Sequence, residues 1–379
     1  MTETAAWLRP AVAGSVVLGC GIGLARFGFV PMFPAMVGAG WVEGGGAGLL
    51  GAANLAGYLL GALGAGRVAA RIGFRPTLDM AMAMAGISLL ACAAPAPLLW
   101  FVVWRALAGV AGGLLMSLAG PAVQAAVAPR HRGAASGVVI AGVGAGVVVL
   151  SLVLPWLLMA GVGAGWAGLG VLILIGWAWS RRYWPPASPA RDPAAPSVSA
   201  GQLVLAYGFS GAGMVPPMVY LADLAVRGRG LGVGMSSGIW LLFGIGGMIG
   251  TVLGGRAVDA LGPSRALRLW LTAQVAALGF ALWPGGGAVW LAAAAIMSGF
   301  SGVGVSAVAL AALRRQAGPG AAGLWPRATA GYAAAQAATG FALAWLFAQS
   351  GQQHWPVFTA GLLFSLAALA TGWRASRDG

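Results

Sequence analysis

Two arginines, Arg26 and Arg105, lie inside stretches that are otherwise apolar. A guanidinium is permanently charged and can meet a carboxylate with two parallel hydrogen bonds. Away from water, such a group calls for an anionic partner or for carbonyls that lack a donor. Arg26 stands five residues before Pro31 and eight before Pro34. Prolines weaken a helix and let it bend where a gate could move. Asn54 and Tyr58 are spaced i, i+4, as are Tyr332 and Gln336. That spacing puts both polar side chains of a pair on one helix face. With Tyr207 and Trp240 they form a set that could hydrogen-bond a polar ligand in a mostly dry cavity. Packing roles stand beside these. An Arg can bond carbonyls at a helix break, Asn and Tyr can glue helices together, and aromatics can face lipid.

The elements that carry these residues are set by composition. The chain has 379 residues, of which 21 are basic and 7 acidic, so 7% are charged. A soluble domain averages roughly 25%. Hydrophobic residues make up 60%, Gly supplies 65 positions, and the mean hydropathy is +0.88. Such a chain cannot cover a soluble surface. A soluble enzyme, a disulfide scaffold and a disordered protein are excluded, and an all-α polytopic membrane protein remains. All basic residues are Arg, and the net charge is +14. They recur in short clusters between apolar runs rather than in one patch, which fits a lipid bilayer and not nucleic acid. Cys20 and Cys92 both lie in apolar segments, so neither a disulfide nor a metal site is expected. The first apolar run is too long for a cleavable signal peptide and holds an Arg.

A spanning helix needs about 20 apolar residues. Twelve stretches qualify: 10–36, 47–66, 77–95, 98–127, 134–158, 161–180, 201–221, 232–254, 267–284, 288–311, 329–349 and 354–373. The longest connection, 181–200, is rich in Pro and reads as a tether between six spans and six. The expected domains are thus a bundle over 1–180, a cytoplasmic linker over 181–200 and a second bundle over 201–379. With a cytoplasmic N-terminus, 17 Arg fall on the inner side: Arg9, Arg67, Arg71, Arg75, Arg130, Arg132, Arg181, Arg182, Arg191, Arg256, Arg265, Arg268, Arg314, Arg315, Arg327, Arg374 and Arg377. Only Arg227 and Arg229 fall outside, and Arg26 and Arg105 are left within spans. The positive-inside rule then puts both termini in the cytoplasm.

The chain repeats itself. At a constant offset of 189, Gly57, Gly61, Gly66, Arg67 and Gly73 match Gly246, Gly250, Gly255, Arg256 and Gly262. Both segments run from the end of a span into an inner loop, so two six-helix halves repeat in parallel sense. The Gly-x-x-x-Gly spacings permit close helix contact, static or sliding.

These residues resemble the major facilitator superfamily of secondary transporters. Its loop signature, Gly-x-x-x-Asp-Arg-x-Gly-Arg-Arg, appears as Gly66-x-x-x-Ala70-Arg71-x-Gly73-x-Arg75 and as Gly255-x-x-x-Asp259-x-x-Gly262-x-x-Arg265. The second copy keeps the acid and the first lacks it, which puts a symmetric cytoplasmic latch in question. Arg105-x-x-x-Gly109-x-x-Gly112-Gly113 resembles the family's span 4. Gly133, Gly142 and Gly146 share the spacing of the family's antiporter pattern in span 5, but Val147 replaces its Pro, so antiport is not inferred. GLARFGFVPMFP and NLAGYLLGAL resemble the YbfB/YjiJ branch. The resemblance implies twelve helices in two pseudo-symmetric bundles rocking in alternating access. The gating elements would be Pro31, Pro34 and both signature loops.

Acids are scarce. Glu3, Asp192 and Asp378 lie in tails or the linker, Glu43 and Asp223 at the outer surface, Asp79 near the start of span 3, and Asp259 in a loop. His131 and His354 are expected in loops. No carboxylate is placed at the midplane, so an embedded acid is not expected to couple protons. The expectation is a monomeric transporter in a bacterial inner membrane, moving a small organic anion and using no cofactor. Arg26, Asn54, Tyr58, Arg105, Tyr207, Trp240, Tyr332 and Gln336 would bind it. Efflux of hydrophobic xenobiotics is the alternative, and a channel or receptor is a third class. Nothing resembles a nucleophile–base pair or a nucleotide loop, so an enzyme is not expected.

Overall fold

A computed structural model describes residues 7–128, 131–184, 201–317 and 321–374, some near helix ends by backbone alone. The expectations for Glu3, Arg130, Arg191, Asp192, Arg377, Asp378 and linker residues 185–200 lie outside the described residues. So do those for the side chains of Arg132, Arg314 and Arg374.

Contacts group the chain into two compact units, Met1–Ala190 and Arg191–Gly379. Among the described residues each unit holds six long helices. In unit 1 these are α1 (Leu8–Gly38), α2 (Gly44–Ile72), α3 (Phe74–Ala91), α4 (Leu98–Ala126), α5 (Arg132–Met159) and α6 (Val162–Ser180). In unit 2 they are α7 (Gly201–Gly228), α8 (Val233–Leu261), α9 (Pro263–Leu282), α10 (Ala288–Ala317), α11 (Ala321–Gln349) and α12 (His354–Arg374). Nine of the twelve are long and apolar enough to cross a membrane, among the described residues. Large apolar side chains stand open on the outside of both units, such as Trp156 at 73%, Met159 at 81% and Val289 at 80%. Water would penalise that surface, and lipid does not.

The two units share an internal plan. The α1–α5, α2–α4, α3–α4 and α3–α6 contacts of unit 1 recur as α7–α11, α8–α10, α9–α10 and α9–α12 in unit 2. Glycine sets the closest of them. A Cβ on Gly57 or Gly61 would run into the Ala106 or Val110 carbonyl of α4. One on Gly246 or Gly250 would meet the Ile296 or Phe300 carbonyl of α10 in the same way. Without side chains at these points the backbones touch.

The signature loops are shorter than hydropathy suggests. α2 continues through Arg67 and Arg71 to Ile72, and α3 begins at Phe74. Gly73 is therefore the whole connection, at φ +92°. Gly262 is its counterpart between α8 and α9, at φ +81°. Only glycine adopts this backbone cheaply. Asp259, expected in a loop, lies in the last turn of α8 and is exposed.

Both α1 and α7 are interrupted. In α1 a π-helical segment, Gly19–Leu24, gives way to a turn before Phe29–Gly38. The wide turn is marked by bonds from Ala25 N to Cys20 O (2.9 Å) and from Phe27 N to Ile22 O (3.0 Å). Pro31 and Pro34 remove two donors from the next turns. α5 supports the wide segment: a Cβ on Gly142 would strike the Ser15 carbonyl, and one on Gly146 the Gly19 carbonyl. α7 breaks at Met214, ahead of Pro216 and Pro217, and ends in a second π segment, Leu224–Gly228.

Candidate functional site

Four of the expected site residues of unit 1 meet at the break in α1. Phe29 N reaches back to Arg26 O at 3.4 Å rather than to Ala25 O, so the Ala25 carbonyl needs another donor. Arg105 of α4 provides it: Nη1 donates to Ala25 O at 2.7 Å, and Nη2 lies 3.5 Å from Arg26 O. The Arg105 guanidinium is buried, 1% exposed, and lies 5.1 Å from the Phe29 ring and 5.6 Å from the Trp166 ring. Its Nε has no hydrogen-bond partner. Asn54 Nδ2 donates to Arg105 O at 3.0 Å, which ties α2 to α4. Arg105 therefore holds the break in shape through Nη1 and Nη2, and Asn54 anchors the helix that carries it.

Arg26 is placed differently. It is only partly buried, and its guanidinium carbon lies 4.9 Å from the centre of the Tyr58 ring and 5.5 Å from that of Phe27. An arginine over aromatic faces keeps its charge while its orientation is fixed. Tyr58 itself is 6% exposed. The sequence pairing of Asn54 with Tyr58 thus becomes one helix face with two jobs. One residue anchors α4, and the other carries Arg26.

In unit 2, Tyr207 of α7 stacks on Tyr332 of α11 at 4.4 Å, and its hydroxyl meets Ser306 Oγ at 2.8 Å. Gln336, one turn beyond Tyr332, is fully buried, with Nε2 3.3 Å from Met218 Sδ of α7. Tyr332 and Gln336 therefore face α7 together. Trp240 of α8 is buried and stacked on Phe243 at 4.4 Å. Ser210, Gln274 and Ser365 form a buried polar knot joining α7, α9 and α12, with bonds of 2.7 to 3.0 Å.

At the signature loops, Arg71, Arg75 and Arg265 are exposed. Arg75 Nη2 donates to Trp184 O at 2.8 Å. Arg315, read in the sequence only as an inner-side charge, donates to Val258 O at 2.9 Å and so holds the end of α8 beside Gly262. Asp79 is also engaged, accepting from Trp177 Nε1 at 2.6 Å and lying 3.3 Å from Arg181 Nε. Two expectations are corrected. Asp223, placed at the outer surface, has a fully buried side chain, and His354, placed in a loop, opens α12 and bonds it at 2.7 Å. The acid and its partner are far apart in sequence, and no local pattern links them.

No three or more His, Cys, Asp or Glu side chains cluster as a metal site would require, among the described residues. The helical plan, the repeated signature and the broken helices define a membrane transporter of the major facilitator type. The family model described as "Uncharacterised MFS-type transporter YbfB" matches residues 18–371, so the chain belongs to that family. No curated protein matches. Among solved structures, the xylose transporter XylE from E. coli is similar over 96% of both chains, with TM-score 0.71 and 14% identity. A D-xylose-proton symporter is similar over 97% of both, with TM-score 0.70 and 16% identity. A variant of the nucleoside transporter NupG is similar over 98% of this chain and 99% of its own, with TM-score 0.72 and 13% identity. At these identities the likeness is one of fold. The protein is thus a multi-pass, secondary-active transporter of small molecules.

Proposed function

We propose that this transporter moves a small organic anion, most simply a carboxylate, with Arg26 as its main contact. The observation that carries the reading is the Arg26 guanidinium itself. It sits at the break in α1, partly exposed, against the faces of Tyr58 and Phe27. An ordered, permanently charged fork suits a carboxylate. Arg105 and Asn54 would act through it, by holding the turn from which it projects. Within unit 2, Tyr207, Trp240, Tyr332 and Gln336 would be the aromatic and hydrogen-bonding candidates for contact with the solute. The breaks in α1 and α7, with Pro31 and Pro34, would bend during alternating access. The one-residue junctions at Gly73 and Gly262, with Gly66, Arg71, Arg75, Gly255, Asp259 and Arg265 on the helix ends beside them, would set the cytoplasmic side of the same movement. The working unit would be one chain, with residues 181–200 as the tether and both termini in the cytoplasm.

The test is uptake into proteoliposomes from a panel of small carboxylates, matched neutral amides and cations. Carboxylate uptake that Arg26→Ala removes supports the reading. Uptake that Arg26→Ala leaves unchanged, or transport of the cations alone, would overturn it.

A further inference from the structure

The Arg distribution leaves two residues unexplained. Arg227 and Arg229 are the pair that the alternation of charge assigns to the outer side. The structure brings both to one cavity of about 520 Å³ in unit 2, lined by the end of α7, the end of α9 and the turn between α11 and α12.

The charges in its wall do not cancel. Behind the cavity, Asp223 takes Arg227 with both oxygens, Nε at 2.6 Å and Nη2 at 2.8 Å, while His354 Nε2 lies 2.7 Å from Oδ2. Arg227 is thereby matched by a carboxylate. Among the described residues Arg229 meets only backbone: Nη2 lies 3.3 Å from Ala281 O and 3.0 Å from Trp283 O, and its Nε has no partner there. Carbonyls orient a guanidinium without neutralising it, so this end of unit 2 keeps a fixed positive charge.

The wall is also built. Arg227 Nη1 donates to Gln352 Oε1 at 2.8 Å. Gln352 has φ +62°, the one positive value at a non-glycine among the described residues. Such a backbone is costly for a side-chain-bearing residue and persists where surroundings hold it. Trp355 and the buried Phe358 add an aromatic surface.

We propose that this cavity is a second binding site, for an anion that joins a carboxylate or phosphate to an apolar body. The charged end would meet Arg229, and the body would lie on Trp355. A free solute and an anionic phospholipid headgroup share this chemistry.

Hydrogen exchange on the full-length protein reads the site by position. In detergent, the probes are benzoate and inorganic phosphate. In nanodiscs, phosphatidylglycerol is compared with phosphatidylcholine. The expected result is protection of peptides covering residues 224–232 and 350–358. Arg229→Gln should raise the half-saturating concentration at least about tenfold, as loss of a charge-assisted bond does. Because Arg229 also caps α9, Gln352→Glu is the second variant. It keeps the acceptor for Arg227, adds a negative charge, and should abolish protection. Protection by phosphatidylglycerol alone assigns the site to lipid. Protection by benzoate or phosphate assigns it to solute. No protection by any probe overturns the proposal, as does protection that survives both substitutions. Protection confined to residues 20–34 overturns it while leaving the Arg26 reading in place, and the converse pattern separates them the other way.

Discussion

Arg26 and Arg105 look alike in sequence, as single cations in apolar spans, yet their surroundings assign them different work. Arg105 is buried and bonds the Ala25 carbonyl at 2.7 Å. Arg26 is partly exposed and lies on Tyr58. Removing Arg105 leaves a buried carbonyl without a donor, a loss of about 1–3 kcal/mol. Arg105→Gln should therefore lower the thermal stability of the purified protein clearly more than Arg26→Gln does. Equal losses from both would show that Arg26 is structural too. Tyr58 allows a finer test. Tyr58→Phe keeps the ring under Arg26, whereas Tyr58→Leu removes a cation–π contact of about 0.5–2 kcal/mol. For any carboxylate that the uptake panel identifies, Tyr58→Leu should raise the KM by several-fold and Tyr58→Phe should change it little. If Phe and Leu behave alike, the ring does not hold Arg26.

At the level of helices, glycine separates into two kinds that composition alone cannot distinguish. Gly57 and Gly250 press directly on carbonyls of the facing helix, while a Cβ on Gly66 or Gly255 would meet nothing within 4 Å. Forcing a methyl into the first kind of site costs about 1–3 kcal/mol. Gly57→Ala and Gly250→Ala should each reduce thermal stability, and Gly66→Ala and Gly255→Ala should not. A uniform response across the four would mean that α2–α4 and α8–α10 are not the tight pairs. The twelve helices were legible because a membrane span writes about 20 apolar residues in a row. Their ends were less so. Arg67 and Arg71 read as loop residues, but α2 runs past them to Gly73, since a charged turn at a surface can remain helical. The π segment of α1 leaves no mark in the hydropathy. Nor could the Asp223–His354 bond be read, because it joins residues 131 apart. Asn54 with Tyr58 was legible as a shared face, but which of the two turns toward Arg26 depends on where α4 packs.

For the whole molecule, charge decides which way the chain lies in the membrane. In the topology expected from the sequence, seventeen Arg fall on one side of the twelve spans and two on the other. Each inner Arg gains from the positive-inside bias, which counts short loops such as those at Gly73 and Gly262 most strongly. The two exceptions, Arg227 and Arg229, line one cavity of unit 2. The chain permits a direct test, because its two native cysteines, Cys20 and Cys92, are 5% and 0% exposed. A membrane-impermeant maleimide would therefore report almost solely on an added thiol. Gly232 and Gly66 are both exposed, and a Cβ at either meets nothing within 4 Å. Gly232→Cys, on the outer side, should label in intact cells. Gly66→Cys, on the inner side, should label only after the membrane is opened. The reverse pattern would invert the orientation. It would also move the Arg227–Arg229 cavity to the cytoplasmic face, where its anion would be drawn from a different pool.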